Sequence, residues 1–338
     1  MRRYEIMMMS RKLIQMLLTM QIIRKLQISF MLCLAIGPSG LASAQERAQN
    51  PIITHMYTAD PTARVWEDGR LYLYPSTDVA PARGCDLMDG YHVFSTDDMV
   101  SWTDHGEILH SRDVEWGRPE GGFMWAPDCV YRDGTYYYYF PHPSGSEWHD
   151  SWKIGVATSD KPDSGFEVQG YIKGLDPRID PNVFIDDDGQ AYFYFGGGHY
   201  GRPQGGRLKD NMMEIDGKMK KMRGIRRFHE GPFVFKREGI YYMIYPDFYK
   251  KGKVYGNRMR YAMSDKPLGP WKHKGVILDP TGIETSHGSV VQYKGQWYLF
   301  YHNGALSGQG NLRSVCFDRV FFNEDGTMQK VVQTGSGM

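Results

Sequence analysis

The chain predicts an all-β fold, a five-bladed β-propeller of four-stranded antiparallel blades, on three observations. The first is a phrase that recurs five times: a polar residue, a hydrophobic run, a Gly turn and a Tyr-rich strand. Its copies are DPTARVWEDGRLYLYP from Asp60, WAPDCVYRDGTYYYYF from Trp125, DPNVFIDDDGQAYFYF from Asp180, EGPFVFKREGIYYMIY from Glu230 and HGSVVQYKGQWYLFY from His287. The second is the period. The turn glycines Gly69, Gly134, Gly189, Gly239 and Gly295 stand 65, 55, 50 and 56 residues apart, the length of one four-stranded blade with its loops. Repeats of this length mark radially arrayed sheets. The third is composition: 39 Gly and 18 Pro in 338 residues suit short strands joined by tight turns, and 14% aromatic residues suit strand surfaces.

Residues 1–44 are unlike the rest. They are basic and Met-rich, then apolar over 26–36, then small as far as Leu41-Ala42-Ser43-Ala44. That is the pattern of a secretory signal peptide with an Ala-x-Ala cleavage site. The apolar stretch is short for a membrane span, and Cys33 lacks the small residue expected before a lipidated cysteine. Translation could begin at Met1 or at Met20, where Arg24 and Lys25 would supply the charge. The expected product is an exported chain, periplasmic or extracellular, with no membrane attachment and with residues 45–338 as a single propeller. Its Cys85, Cys129 and Cys316 show no Cys-x-x-Cys spacing, so buried thiols are expected and structural zinc is not.

Within each repeat the first strand alternates poorly, as an inner strand buried on both faces should. The second is β-branched and aromatic, as at 136–140. Third and fourth strands are expected at 91–95 and around Trp102, at 153–158 and around Phe166, at 258–263 and around Trp271, and at 313–317 and 320–322. Ser, Thr and Asp after three of the third strands should cap their turns, at Ser95-Thr96-Asp97, Thr158-Ser159-Asp160 and Met263-Ser264-Asp265. The third copy is weak, with a vague strand around 208–215. The basic run 218–227 after it reads as a solvated loop. A net charge of +1 makes no electrostatic case for nucleic acid or an anionic membrane as a partner.

Chemistry varies most at one place in the repeat. The residues nine positions before the turn glycines are Asp60, Trp125, Asp180, Glu230 and Ser286, with His287 one further. If equivalent positions of five blades converge on one axis, three carboxylates, a Trp and a His meet in one funnel. Hydrolysis of a glycosidic bond needs two carboxyl groups flanking the anomeric carbon, one ionised and one protonated. A third carboxylate nearby can raise the pKa of the acid, and Trp125 offers a flat face to a sugar ring. Each residue also has a plainer reading: Asp before Pro forms turns, Trp125 could be core, and His287 could be a hydrogen-bonded core histidine. Asp128 copies no carboxylate position and reads as a turn or supporting group. Asp186, Asp187 and Asp188 read as a solvated hairpin turn before Gly189 rather than a calcium loop.

Six pieces taken in order resemble glycoside hydrolase family 43, from Asn50 to about Gly326. They are Ala59-Asp60-Pro61, STDDMVSWTDHGEIL from Ser95, MWAPDCVYRDGTYYYYF from Met124, IDPNVFIDDDG from Ile179, HEGPFVFKREGIYYMIY from His229 and SHGSVVQYKGQWYLFYH from Ser286. The resemblance implies a five-bladed propeller that acts on arabinofuranosides and xylosides and inverts anomeric configuration. It implies Asp60 as general base, Glu230 as general acid and Asp180 as the carboxylate that tunes and orients the acid. It further implies Arg313 as an arginine reaching the sugar pocket and His287 as an axial histidine facing a central hydrated calcium ion, the one cofactor expected. The expected reaction is exo-acting α-L-arabinofuranosidase or β-xylosidase cleavage, and the expected partner is an oligosaccharide or polysaccharide from plants. Two other readings stay open. One is a furanosidase or galactosidase of a related five-bladed family in which a His, here His229, donates the proton; the other is a non-catalytic sugar-binding propeller. Loops 81–90, 144–152 and 200–206, which should select the sugar, carry no readable code.

Overall fold

A computed structural model describes residues 50–81, 85–147, 151–175, 178–197, 202–251, 254–283 and 285–335. The expected leader over 1–44, and with it the choice between Met1 and Met20, lies outside the described residues. The described chain forms five antiparallel sheets whose strands follow sequence order. Blade 1 holds β1 (Tyr57–Val65), β2 (Leu71–Asp78), β3 (Gly90–Thr96) and β4 (Thr103–His110). Blade 2 holds β5 (Asp128–Arg132), β6 (Thr135–Pro143), β7 (Trp152–Ser159) and β8 (Glu167–Tyr171). Blade 3 holds β9 (Asn182–Ile185), β10 (Ala191–Phe195), β11 (Gln204–Leu208) and β12 (Ile215–Lys221). Blade 4 holds β13 (Phe233–Arg237), β14 (Ile240–Lys251), β15 (Val254–Ser264) and β16 (Lys272–Leu278). Blade 5 holds β17 (Ser289–Tyr293), β18 (Gln296–Asn303) and β19 (Ser314–Val320). The first strands neighbour one another in a closed ring, β1 to β5 to β9 to β13 to β17 and back to β1. The fold is the five-bladed propeller expected, with three strands rather than four in its last blade.

The repeated phrase explains this ring. Its turn glycines have φ of 77, 85, 81, 77 and 81°, with open space where a Cβ would sit, so left-handed backbone selects glycine there. The Tyr-rich second strands then fill the seams between blades. Buried apolar clusters lie between blades 1 and 2, 2 and 3, 3 and 4, 4 and 5, and 5 and 1. The hydroxyls reach onward around the ring. Tyr74 donates to Pro162 O (2.8 Å), Tyr139 to Met212 O (2.8 Å), Tyr194 to Pro267 O (2.7 Å) and Tyr242 to Gly326 O (2.7 Å). Tyr293, on β17, closes the circle to Asp97 O at 2.7 Å. A buried Tyr with its hydroxyl satisfied adds apolar area without leaving an orphan donor.

The inner strands are also joined by polar bonds. Ala63 N donates to Ser289 Oγ (2.9 Å), Thr62 Oγ1 to Pro127 O (2.9 Å) and Val234 N to Asn182 Oδ1 (2.9 Å). Asp128 is the hub: wholly buried, it accepts from Arg64 Nη2 (2.6 Å), Asn182 Nδ2 (2.9 Å) and Val183 N (2.6 Å). It therefore ties three blades together from the first position of β5, rather than forming a turn.

Four sequence expectations are corrected here. The residues around 208–215 are not one strand but the two ends of a hairpin, in which Leu208 pairs with Ile215. The basic run begins in a strand, because β12 extends to Lys221. In blade 5, 313–317 and 320–322 are not separate strands; β19 runs continuously to Val320, and Phe322 forms only a bridge to Met328. The Asp186 carboxyl, read as solvated, is bonded to Lys236 Nζ (2.6 Å) and Tyr241 Oη (2.5 Å), while Asp187 beside it is exposed. Cys129 and Cys316 are free and buried.

Candidate active site

All six residues singled out in the sequence line one pocket of about 240 Å³: Asp60, Trp125, Asp180, Glu230, His287 and Arg313. Trp125, Asp180, Glu230 and His287 directly precede inner strands and Asp60 lies within one, which explains their convergence. Asp60 sits in β1 at a register shift between Ala59 and Thr62, with φ 47°. Asp180, two residues before β9, repeats that left-handed backbone with φ 58°. Both precede proline, which disfavours right-handed helical backbone, and Asp tolerates the left-handed region better than most residues. The bulge swings the carboxylate out of the pleat and into the funnel.

Asp60 is held from every side. Its Oδ1 accepts from Arg313 Nη1 at 2.9 Å and its Oδ2 from Ser76 Oγ at 2.8 Å. Its amide donates to His302 Nδ1 at 2.9 Å, so His302 is neutral on that nitrogen, and its Nε2 faces Thr285 Oγ1 at 3.3 Å. Arg313 is itself clamped by Asp78, with Nε to Oδ2 at 2.8 Å and Nη2 to Oδ1 at 2.7 Å, a fork that fixes the guanidinium plane. Burial by itself would raise the Asp60 pKa, but Arg313, His302 and His287 overcome it and hold the carboxyl at about 2. His302 is kept near 4 by burial and by Arg313.

The other two carboxyls behave oppositely. Burial, then the negative charge of Asp60, push Glu230 up to about 7. Burial and the charges of Glu230 and Asp60 likewise raise Asp180 well above the usual carboxylate range, although Gly231 N donates to its Oδ2 at 2.9 Å. Two adjacent buried carboxyls cannot both ionise cheaply, so the pair holds a proton near neutral pH. His287, whose pKa burial lowers, presents Nδ1 at 3.9 Å from Asp60 Oδ1. Its ring lies against Gly231, where an added Cβ would stand 3.1 Å from three ring atoms. Trp125 packs on Trp152 with ring centroids 4.3 Å apart, and Tyr91 Oη donates to its carbonyl at 2.6 Å.

Asp78, Ser76 and His302 were not singled out in the sequence. All three lie near the C-terminal ends of second strands, where LYLYPSTD and QWYLFYHN turn polar after their apolar runs. That switch was the available signal. Among the described residues no group of three or more His, Cys, Asp or Glu gathers to hold a metal ion.

Comparison with known proteins points to the same chemistry. The sequence profile described as Glycosyl hydrolases family 43 matches residues 48–328. The chain is 34% identical to Xylosidase/arabinosidase 43A of Humicola insolens, over 82% of this chain and 97% of that protein. It is 35% identical to a xylosidase/arabinosidase of Bacteroides ovatus, over 80% of this chain and 93% of that protein. Among solved structures it is similar to a family 43 β-xylosidase/α-arabinofuranosidase from a compost microbial metagenome, in complex with xylotriose in a calcium-free form. The TM-score is 0.72 at 34% identity, covering 84% of this chain and 97% of that one. With a five-bladed ring, three carboxyls in one pocket and a profile match over most of its length, the chain belongs to glycoside hydrolase family 43.

Proposed function

We propose that this glycoside hydrolase is an exo-acting, inverting α-L-arabinofuranosidase or β-xylosidase, with Asp60 as base, Glu230 as acid and Asp180 as the carboxyl that shares the acid's proton. One observation carries the reading: in a single pocket Asp60 is driven towards ionisation and Glu230 towards protonation. Two carboxyls pushed apart in this way divide base and acid roles.

Glu230 gives its proton to the departing glycosidic oxygen as positive charge grows at the anomeric carbon. Ionised Asp60 stabilises that charge across the pocket and accepts the proton of an attacking water. A carboxylate this acidic is a weak base towards water at rest, but water becomes strongly acidic as its oxygen bonds to the cationic carbon. Net, one proton leaves Glu230 and one arrives at Asp60, and exchange with solvent resets both. A compact pocket of about 240 Å³ where residues of all five blades meet, rather than an extended cleft, supports removal of terminal units. Trp125, braced by Trp152, supplies an apolar wall for that ring.

A hydrated calcium ion at His287 belongs to the same proposal. The proposal rests on the family resemblance: among the described residues no group of three or more His, Cys, Asp or Glu gathers for a metal, so water would have to supply most of the six to eight oxygen ligands such an ion takes, with His287 beside it. Bound there, the ion would add positive charge to the site. Export with cleavage near Ala44 rests on the N-terminal sequence, and N-terminal sequencing of the secreted protein tests it.

His229 does not favour the alternative acid. It lies outside the pocket lining, stacked on Phe248, with Nε2 3.5 Å from Glu230 Oε2, a position from which it steadies Glu230. The test is a panel of aryl α-L-arabinofuranosides, β-D-xylosides, β-D-galactofuranosides and α-L-arabinopyranosides, with product anomers followed by NMR. Cleavage of an arabinofuranoside or xyloside with inversion, lost in Asp60→Asn, is expected. Glu230→Gln should keep activity only on substrates with good leaving groups. Retention of configuration, or full activity in Asp60→Asn, would overturn the assignment.

A further inference from the structure

The basic run 218–227 is not used by the active site, yet the structure gives it a place. Lys220 and Lys221 end β12 opposite Gly205 and Gln204. With Arg202, Arg207, Arg223 and Lys266 they line a groove of about 890 Å³ between the outer strands of blade 3 and the turn joining β15 to β16 in blade 4. Among the described residues its lining has six cations and no carboxylate. Of the six, Arg207 alone has an ion pair among the described residues, to Asp216 at 3.5 Å.

The groove is built rather than incidental. Trp271 N donates to Arg223 O at 2.9 Å, Trp271 Nε1 to Met222 Sδ at 3.4 Å, and Tyr194 Oη to Pro267 O at 2.7 Å. A Cβ on Gly224 would fall 1.7 Å from Trp271 O, so the two walls are pressed together at that point. Tyr192, Pro267 and Pro270 supply apolar surface between the cations. On a chain of net charge +1, six cations in one groove concentrate positive potential locally.

We propose that this groove docks a polysaccharide bearing uronic-acid carboxylates, holding an acidic chain at the enzyme while neutral terminal sugars enter the pocket. The proposal rests on the reading of the enzyme as one that trims plant polysaccharide. Carboxylates spaced along a sugar chain match long, separately mounted Lys and Arg side chains, and the Tyr and Pro surfaces match the apolar faces of sugar rings. A membrane would ask instead for a flat or convex face, and the groove is concave.

The experiment is affinity electrophoresis of the Asp60→Asn protein in gels containing glucuronoxylan or a neutral arabinoxylan. It is run with and without the triple change Lys220→Glu, Lys221→Glu and Arg223→Glu. The triple change should weaken retention by glucuronoxylan by about tenfold or more, a change of about 1.4 kcal/mol. Retention by the neutral polymer should stay the same, and salt should reproduce the loss. Placed instead in the Asp60-containing enzyme, the triple change should leave turnover of a small aryl glycoside unaltered, which shows that the fold and pocket survive. Equal retention of both proteins by glucuronoxylan overturns the groove, as does tighter binding of duplex DNA or of phosphatidylglycerol vesicles. Retention is read in the Asp60→Asn protein and does not depend on hydrolysis, so failure of the groove and failure of the catalytic reading are separable.

Discussion

Asp60 and Glu230 are tuned against each other, and this can be read out as pH dependence. With the proposed roles, Asp60 ionised as base and Glu230 protonated as acid, kcat/KM should be level through mildly acidic pH and fall as pH rises through about 7. The negative charge of Asp60 is one of the two causes that raise Glu230, so residual activity of Asp60→Asn should show this limb at lower pH. Stability follows the same logic with a definite sign. Folded Glu230 keeps its proton up to about 7 where an ordinary Glu releases it near 4.5, so its contribution is present at low pH and lost as pH rises through about 7. Glu230→Gln should therefore gain Tm relative to wild type across that window and hold the gain above it, as a thermal melt series would show. Asp78 acts through Arg313. Asp78→Asn leaves the guanidinium without its fork, and kcat/KM should fall by about tenfold to a hundredfold, roughly 1.4–2.7 kcal/mol. Arg313→Lys should fare no better, because a point charge cannot hold Asp60 and Asp78 in one plane.

The strands decide where these groups point. Left-handed backbone at Asp60 and Asp180 and the β1 bulge aim two carboxyls down the axis, a local strain that the surrounding inner-strand bonds hold in place. Gly231 belongs to the same device, because its amide serves Asp180 and its open face admits the His287 ring. Gly231→Ala, at φ 55°, should lower stability by about 1–2 kcal/mol and reduce kcat more than it raises KM. A urea titration and steady-state kinetics check both. The element that the sequence concealed, β11, shows why local pattern misleads. Its Gly205 and Gly206 look like loop residues, yet a Cβ at either would stand 2.8 Å from the Tyr194 ring or 2.5 Å from Met219 Sδ. They are strand glycines selected by close approach, which no propensity records. The basic end of β12 misleads likewise, since an outer edge strand needs little apolar alternation.

The ring must close, and blade 5 closes it with borrowed chain. Ile52 N donates to Val315 O and Thr58 N to Arg313 O, both at 2.9 Å. Asn50 pairs its side chain with Phe317 as a strand residue would, Nδ2 to O at 2.8 Å and N to Oδ1 at 3.0 Å. The chain from Asn50 into the start of β1 thus occupies the free edge of β19, which is why a fourth strand inside the blade was not needed. Asn50→Ala should cost about 1–3 kcal/mol by leaving those two groups without their partner, measured by urea unfolding, with little effect on activity before the transition. Asp128→Ala should cost more, about 3–5 kcal/mol, because it strands the Arg64 charge at the centre of the ring.

From the sequence alone came the propeller, its five-fold count, and Asp60, Trp125, Asp180, Glu230, His287 and Arg313 as the residues to watch. All but Arg313 was legible because each repeat writes the same turn and the same inner strand, and equivalent positions in a ring must converge; Arg313 came only from the resemblance to family 43. What only the tertiary structure decided is the work of residues with no place in the repeat. Asp78 and His302 hold Arg313 and Asp60 across blades, Asp128 ties three inner strands, and Asn50 closes the ring on Phe317 across 267 residues. Such contacts join parts of the chain far apart in sequence, and nothing in a local pattern says which distant backbone will meet them.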